Sequence, residues 1–406
     1  MTTDLVFVLD LGSTKVACLA ARSEGARGLL VEGVAAEPCA GLRRGLIVDE
    51  EETARAAKVA IAEVERVTGE TVDSIVLAVG SPSVSGTEAQ GLVPIYPNGR
   101  AITREDVLQV INHSRQIRAG GETQQLQAIP REFRVDGQRG IQKPIGMNAS
   151  RLEVSTYVVT GETKILNAIE RVVQRAGKKI ESMVFQPLAS AFGVVRPEEL
   201  ELGCVVIDLG GGTTSVAVFS NGSIVHGSVI PVGSAMVSSD VSKLLKTSLE
   251  EGERLKLEFG SSLAGEVGPN EGVDVMQLGQ THTRPMQRRV LCEIIESRMR
   301  EIANLVKAEV AKSGLVDFPG GVILVGGGSK MANTTNLFQE VLGAKVRTGA
   351  PKVGGPSRST VGAPEFAAAV GLAAYALDSD DDELSPNVAG DWKDRIRTLW
   401  SLLSGK

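Results

Sequence analysis

Two stretches of the chain repeat one pattern of apolar and polar positions. Apolar runs at 7–9 and 205–207 each lead into an aspartate, Asp10 or Asp208, and then into glycine and hydroxyl residues. A second apolar run follows each time, so the pattern predicts two β-hairpins about half the chain apart. Turns of small residues let backbone N–H groups close on a phosphate, and an aspartate beside a phosphate indicates a metal ion between them. The repeat predicts one nucleotide held from both sides.

Helices and buried strands follow each hairpin. An apolar stripe of Ala54, Ala57, Ile61, Val64 and Val67 predicts a helix over 50–68. Continuous apolar runs over 74–80 and 321–325 are typical of strands buried on both faces. The periodicity predicts further helices at 104–116, 162–176, 235–248, 250–259, 287–312 and 364–377, and further strands at 28–36, 126–135, 151–160, 179–185 and 223–230.

A third glycine cluster follows the strand at 321–325. Its spacing fits neither a Rossmann fingerprint nor a Walker A loop. We expect the glycines at 326–328 to let the backbone approach the adenine–ribose end of a nucleotide.

Changes in composition divide the chain into segments. Residues 85–160 are rich in Gln, Arg, Pro and Gly, which predicts an inserted subdomain, whereas acidic residues with Ser and Pro predict a disordered linker over 378–390. The predicted segments are a first half at 1–84 and 161–203 with the insert 85–160 (subdomain 1C), a second half at 204–234 with a small subdomain at 235–312 (2B), its continuation and a closing helix at 313–377, the linker 378–390, and a terminal helix at 391–406.

The terminal segment carries both tryptophans of the chain. At about 100° per residue its large apolar side chains fall on one side, with Lys393 and Arg395 at the margins. Such a helix is typical of the interface of a membrane with anionic lipid, although docking on the body of the protein is the alternative. The apolar positions are Trp392, Ile396, Leu399, Trp400, Leu402 and Leu403.

Composition excludes several classes of function. The net charge of −6 is spread along the 406 residues and only 3% are aromatic, so nucleic-acid binding is not expected. The four cysteines are far apart and form no CxxC pair, which favours reduced thiols in a cytosol. The chain has no basic-then-apolar leader and no apolar run long enough to span a bilayer, so we expect a protein on the cytoplasmic side.

The motifs together resemble a known superfamily. The two hairpins, the helix that begins at Gln186 and the glycines at 326–328 are similar to the phosphate, connecting and adenosine motifs of actin–hexokinase–chaperone ATPases. Within that superfamily, the phrase from Gly146 to Val154 and the terminal segment resemble the bacterial FtsA family of cell-division proteins, over nearly all of residues 5–403. The resemblance implies an α/β, actin-like fold: two duplicated ribonuclease-H-like halves around a nucleotide cleft, an inserted subdomain and a C-terminal amphipathic helix.

The resemblance also implies roles for individual residues. Asp10 and Asp208 are implied to hold Mg²⁺ through water, and Gln186 to orient an attacking water. The protein is then an ATP-binding protein and at most a slow ATPase, not a metabolic enzyme. The residues implied to contact the nucleotide are Gly12, Ser13, Thr14, Lys15, Gly210, Gly211, Gly212, Thr213, Thr214, Glu253, Lys256, Gly326, Gly327, Gly328 and Ser329.

The partners follow from the same resemblance. The small subdomain is implied to receive the C-terminal peptide of FtsZ, with charge from Arg288, Arg289 and Arg298. Other copies of the chain in actin-like protofilaments and later divisome proteins are the further partners. The implied location is the cytoplasmic side of the cell membrane at the division site, as a peripheral protein.

Three other functions suit the same fold. A sugar or acetate-type kinase needs a base in the cleft, and no spare acid stands out in the glycine-rich loops. A chaperone ATPase needs a large substrate-binding domain, whereas only a short segment follows the core. A type IV pilus assembly protein is the nearest alternative outside cell division.

Overall fold

The computed structural model describes residues 5–23, 28–116, 122–280 and 282–380. The strands in these ranges are β1 Val6–Leu11, β2 Lys15–Ser23, β3 Leu29–Pro38, β4 Leu42–Arg43, β5 Leu46–Ile47, β6 Ser74–Val79, β7 Val84–Pro94, β8 Arg100–Ala101, β9 Thr123–Val135, β10 Gln138–Ile141, β11 Asn148–Ala149, β12 Arg151–Glu162, β13 Lys179–Phe185, β14 Val205–Leu209, β15 Thr214–Ser220, β16 Ser223–Ile230, β17 Gly272–Met276, β18 Thr283–Gln287, β19 Val322–Val325 and β20 Val346–Thr348. The α-helices are α1 Glu50–Thr68, α2 Arg104–Gln116, α3 Thr163–Arg175, α4 Gln186–Val194, α5 Pro197–Leu202, α6 Ala235–Leu245, α7 Leu249–Phe259, α8 Arg288–Ala311, α9 Thr334–Leu342, α10 Arg358–Val361 and α11 Ala367–Asp380.

The two halves share one sheet plan. The first sheet has the order β3-β2-β1-β6-β13 and the second the order β16-β15-β14-β19-β20. In each, an antiparallel hairpin (β1–β2 or β14–β15) pairs in parallel with a later strand (β6 or β19). The duplication predicted from the repeated hairpin pattern is therefore confirmed, and it places both hairpin turns at the carboxyl ends of the parallel strands.

Helix α1 shows how local sequence determines an element. Asp49 caps its start, because the Asp49 carboxylate accepts hydrogen bonds of 3.0 Å from the backbone N–H groups of Glu51 and Glu52. Gly69 ends the helix with a left-handed conformation at φ 74°. The stripe of Ala54, Ala57, Ile61 and Val64 is buried as predicted, whereas Val67 is 49% exposed.

The closing helix α11 packs on the first half. It contacts β1, β2 and especially α4, and its side chains belong to the core cluster of the first sheet. At the crossing with α4, a Cβ on Gly371 would lie 1.9 Å from the Ala189 carbonyl oxygen, and one on Gly193 would lie 2.3 Å from that of Ala367. The two helices therefore touch through their backbones, which only glycine at these positions permits.

The insert is a small sheet covered by one helix. Its strands have the order β10-β9-β12-β7, and α2 packs on β7 and β12 around a separate apolar core. Strand β7 was not predicted, because Gly86, Gly91 and Pro94 make its sequence typical of a loop. The structure shows why the two glycines are there: a Cβ on Gly86 would overlap the ring of Tyr157, and one on Gly91 would lie 2.2 Å from the Val110 carbonyl oxygen of α2.

The small subdomain of the second half comprises α6, α7 and the β17–β18 hairpin. The long helix α8 runs from that hairpin into the core of the second sheet, where Leu291, Ile295, Met299 and Ile302 are buried. All four cysteines are buried and free. No helix in the described ranges combines the length and apolar character that a bilayer crossing requires. The predicted linker and terminal helix, from residue 381 onward, lie outside the described residues.

Candidate functional site

A cleft of about 710 Å³ lies between the two hairpin turns. This volume is within the range of small-molecule and cofactor sites. The predicted residues that line it are Asp10, Gly12, Ser13, Thr14, Lys15, Gln186, Asp208, Gly210, Gly211, Gly212, Thr213, Glu253, Lys256, Gly326, Gly327 and Gly328.

The two turns face each other closely enough that glycine is required. A Cβ on Gly211 would lie 2.3 Å from Thr14 Cγ2, and one on Gly212 would lie 2.3 Å from Ser13 Oγ. Gly233, at the entry to α6, has the same restriction, since a Cβ there would lie 2.4 Å from the Gly211 carbonyl oxygen. The turns of the two halves thus form one narrow concave surface of backbone, which is the kind of surface that binds phosphate through N–H groups.

Asp208 is fixed by the first turn of α4. Its Oδ2 accepts hydrogen bonds from Gln186 Nε2 at 2.7 Å and from Ser190 Oγ at 2.6 Å. On the other side, a Cβ on Gly326 would lie 2.4 Å from Asp208 Oδ1, so a glycine is needed there. Asp208 is only 8% exposed, and burial raises the pKa of this carboxyl against the two hydrogen bonds and Lys15.

Asp10 lies opposite Asp208 on the first hairpin. Burial raises the pKa of Asp10 to about 6; Asp208 acts in the same direction and Lys15 opposes it. Two carboxylates that face one cleft, each with its pKa raised by burial, form a site that favours a cation. Hard divalent cations prefer such oxygen ligands, and Mg²⁺ commonly uses one or two carboxylates with several waters. Among the described residues, no group of three or more His, Cys, Asp or Glu side chains is placed to hold a metal.

Lys15 supplies positive charge to the same end of the cleft. Its Nζ lies 3.9 Å from the centroid of the Phe366 ring, in a cation–π contact. Burial lowers the pKa of Lys15, and Asp10 and Glu365 oppose that shift.

Glu253 and Lys256 form an ion pair on α7 at the other end of the cleft. Lys256 Nζ lies 2.7 Å from Glu253 Oε2, which also accepts a hydrogen bond from Ser238. The pair lines the cleft with Leu257, Met331 and Ala332, a mixed polar and apolar surface suited to a ribose and a base.

Thr214 and Ser329 do not line the cleft. Both side chains are buried, and their hydroxyls donate to backbone carbonyl oxygens of Val232 and Gly326, each at 2.7 Å. Both hydroxyls stabilise the local backbone, and we do not propose them as nucleotide contacts.

The three arginines predicted to bind a peptide do not form one patch. Arg288 lines the nucleotide cleft, where its Nε donates to the Phe259 carbonyl oxygen at 2.7 Å and its Nη1 pairs with Glu271. Arg298 is paired with Asp240 at 2.6 Å and with Glu301. Arg289 is the most exposed of the three, at 51% of its side chain.

Several residues of the cleft were not predicted. Lys330 and Glu365 line it as an ion pair of 2.7 Å, and Ser190 and Ser234 bond to its loops. Lys330 could have been predicted from the sequence, because it lies two residues after the glycines at 326–328. Glu365 lies in the segment before α11, and only the tertiary fold brings it to the cleft.

The side-chain amide oxygen of Gln186 has no partner among the described residues. Its Nε2 donates to Asp208 and Ser190, whereas its Oε1 is buried with no hydrogen-bond partner among the described residues. An unpartnered buried acceptor is costly, so this atom is suited to accept a hydrogen bond from a water in the cleft.

Comparisons with known proteins show similarity to one family over most of the chain. A family model described as cell division protein FtsA matches residues 205–371, and one described as the SHS2 domain inserted in FtsA matches residues 81–160. Cell division protein FtsA of Pseudomonas aeruginosa is 31% identical over 387 residues, which cover 95% of this chain and 92% of the relative. The FtsA protein of Bacillus subtilis is 32% identical over 373 residues, covering 92% and 83% of the two chains.

Solved structures share the actin-like fold. The chain aligns with a structure of the PilM–PilN type IV pilus biogenesis complex at a TM-score of 0.65 and 16% identity, covering 92% of this chain and 98% of that one. It aligns with MreB5 of Spiroplasma citri bound to ADP at a TM-score of 0.54 and 15% identity, covering 91% and 95%. At this identity the likeness concerns the fold alone.

Proposed function

This chain belongs to the FtsA family of actin-like cell-division proteins, and we propose that it binds ATP with Mg²⁺ in the cleft between its two hairpins. The single observation that carries the proposal is the facing pair of glycine turns with Asp10 and Asp208 beside them. The MreB5 structure with bound ADP supports the same assignment, since it shares the fold.

The residues present fit both groups. Asp10 and Asp208 would hold the Mg²⁺ through water, and the metal would neutralise the charge of the phosphates. The backbone of Gly211 and Gly212 and the Lys15 ammonium would contact the phosphates. Glu253, Lys256 and the backbone of Gly327 and Gly328 would enclose the nucleoside.

Slow hydrolysis is the only chemistry that we propose for this cleft. Gln186 Oε1 is placed to accept a hydrogen bond from water, and its amide is fixed by Asp208. A glutamine amide orients a water but is a poor base, so we expect turnover slower than that of a metabolic enzyme.

The first experiment removes one carboxylate. Asp208→Ala is expected to weaken ATP binding by at least about tenfold, or roughly 1.4 kcal/mol, in titration calorimetry with Mg²⁺. Asp274→Ala, the same change on exposed strand β17, serves as the matched control. Equal affinities for Asp208→Ala and wild type would mean that this hairpin only stabilises the fold.

We further propose that ATP-bound copies assemble into actin-like protofilaments and that the small subdomain at 235–312 binds the C-terminal peptide of FtsZ. Later divisome proteins are the remaining partners. Because Arg288 faces the cleft and Arg298 is paired with Asp240 and Glu301, we expect Arg289 to supply most of the charge for an acidic peptide, with Arg298 as the second candidate.

That peptide proposal has its own test. Arg289→Glu with Arg298→Glu is expected to abolish peptide binding measured by fluorescence anisotropy. ATP affinity should be unchanged in the same variant, since neither side chain lines the cleft. Retained peptide binding would place the FtsZ site elsewhere.

A further inference from the structure

Three parts of the molecule meet at Phe185, the residue immediately before Gln186. Phe185 ends strand β13 at the edge of the first sheet and is fully buried. Strand β9 of the insert packs along this edge, and strand β7 packs against β16, the edge strand of the second sheet. The insert therefore contacts both halves, next to the start of α4.

Gln127 on β9 makes the contact with the first half. It is 4% exposed, and its Oε1 accepts a hydrogen bond of 2.9 Å from the backbone N–H of Phe185. This bond satisfies a buried donor at the sheet edge, and losing the acceptor leaves that donor without a partner. The insert and strand β6 thus both contribute to the position of the residue that leads into Gln186.

Tyr157 on β12 makes the contact with the second half. Its hydroxyl donates to the Gly227 carbonyl oxygen of β16 at 3.4 Å, and its ring fills the space left open by Gly86. A Cβ on Gly227 would lie 2.7 Å from Phe185 Cε1 and 3.3 Å from Tyr157 Oη. The Phe185 ring and the Tyr157 hydroxyl therefore both approach Gly227 closely, and a larger residue there would not fit beside the Phe185 ring.

The path continues into the cleft. Gln186 begins α4 directly after Phe185, and its Nε2 donates to Asp208 at 2.7 Å. The path from Gln127 through Phe185 and Gln186 to Asp208 consists of two hydrogen bonds and one peptide link. If ligand binding shifts the first turn of α4 together with Gln186, the peptide link passes that shift to Phe185. Phe185 is hydrogen-bonded to Gln127 and packs beside Tyr157 at Gly227, in an interior that yields little.

We propose that Gln127 is a positioning residue for Gln186 and that the inserted subdomain is coupled through it to the terminal phosphate of the bound nucleotide. The coupling rests on the proposed binding of ATP. Coupling of this kind is reciprocal. If the nucleotide changes the affinity of the insert for a partner, that partner changes the preference of the cleft for nucleoside triphosphate over diphosphate by the same factor.

Amide hydrogen exchange tests the proposal. Exchange in β9 and β12 is measured with a non-hydrolysable ATP analogue and with ADP, at a protein concentration where sedimentation shows no filaments. In the wild type the analogue is expected to slow this exchange about fivefold relative to ADP, the low end of usual coupling. In Gln127→Met, which keeps the length of the side chain and removes the acceptor, the difference between the two nucleotides is expected to disappear while both still bind.

Two comparisons make the result specific. Gln125→Met places the same change on the exposed part of β9 and should behave as the wild type. Tyr157→Phe keeps the ring and removes only the hydrogen bond to Gly227. It should reduce the difference in exchange between the ATP analogue and ADP. If Gln127→Met does not fold, Tyr157→Phe tests the proposal alone.

The outcomes separate the two proposals. A wild type that binds neither nucleotide overturns the proposed function and this inference together. Binding of both with identical exchange in the insert, or a Gln127→Met protein that keeps the wild-type difference, overturns only the coupling.

Discussion

At the scale of single residues, the chemistry of the cleft was predictable from sequence wherever local spacing carries it. The acid–glycine–hydroxyl pattern located Asp10, Asp208 and the turn glycines, because a hairpin turn keeps its residues together wherever it lies in the fold. Glu365 could not be predicted, since it reaches the cleft only through the packing of α11 on the first sheet. The roles assigned to the nucleotide-contacting residues stay predictions.

The contact between the two turns leads to a prediction for Gly212. Gly212→Ala adds a methyl group that would lie 2.3 Å from Ser13 Oγ, so the turns must separate. We expect at least about tenfold weaker ATP binding by calorimetry. Adding Ser13→Gly removes the clash and should restore most of the affinity; a double variant as weak as the single one would show that separation of the turns is not the cause.

At the scale of elements, strands with continuous apolar runs and helices with a full apolar stripe were predicted well. The bounds of α1, α2, β13 and β16 agree with the sequence pattern. Strand β7 was missed because two of its residues are glycines that make room for Tyr157 and for α2. These neighbours lie elsewhere in the chain, so the sequence of β7 alone does not reveal them. The register between β7 and β12 is thus determined by tertiary packing.

Helix α2 depends on one buried carboxylate. Asp106 accepts from the backbone N–H and hydroxyl of Thr103 and pairs with Arg100 at 2.6 Å, so it closes a capping box and joins β8 to α2. The bond from Arg100 lowers the pKa of Asp106 to about 2. A depressed pKa stabilises the fold above the unfolded value of ~3.9, and this contribution is lost as the pH falls from there toward 2.

Asp106→Asn should therefore lower the free energy of unfolding by about 2 kcal/mol at pH 7. The difference in melting temperature between this variant and the wild type is expected to narrow as the pH is lowered below 4. Glu105→Gln changes the neighbouring exposed acid, whose pKa is lowered by hydrogen bonds at the start of α2 and not by an arginine pair, and it should show a smaller difference at pH 7. If the difference in melting temperature between Asp106→Asn and the wild type stays constant with pH, the ionised Asp106–Arg100 pair is not the cause of that difference.

At the scale of the whole molecule, the duplication and the insert were predictable because each leaves a mark in the sequence: a repeated motif and a change of composition. No sequence feature indicates that the closing helix α11 packs on the first half. The attachment of the protein to membranes remains a proposal based on the terminal segment at 391–406, which lies outside the described residues.

Membrane attachment is tested on the full chain. Trp400→Glu places a charge on the apolar side of the proposed terminal helix, and it should release the protein from anionic liposomes in flotation while leaving ATP binding unchanged. Ser401→Glu adds the same charge on the opposite side and should still float. Because single tails bind weakly and filaments bind by avidity, the release should be larger at low protein concentration. Flotation of Trp400→Glu at wild-type yield would favour a helix docked on the body.

The crossing of α4 and α11 restricts how the molecule changes shape. Helices that slide past each other do so through adjustable side chains, but here backbone lies on backbone at Gly193 and Gly371. Translation along the helices would drive the side chains beside each glycine into the opposite backbone, whereas rotation about the point of contact would not. We therefore expect any relative motion of the two helices to be a rotation about this crossing, with the first turn of α4 and the Gln186 side chain off the axis. Under that expectation, an assembly of copies that fixes the angle between α4 and α11 would also fix the position of Gln186 in the cleft.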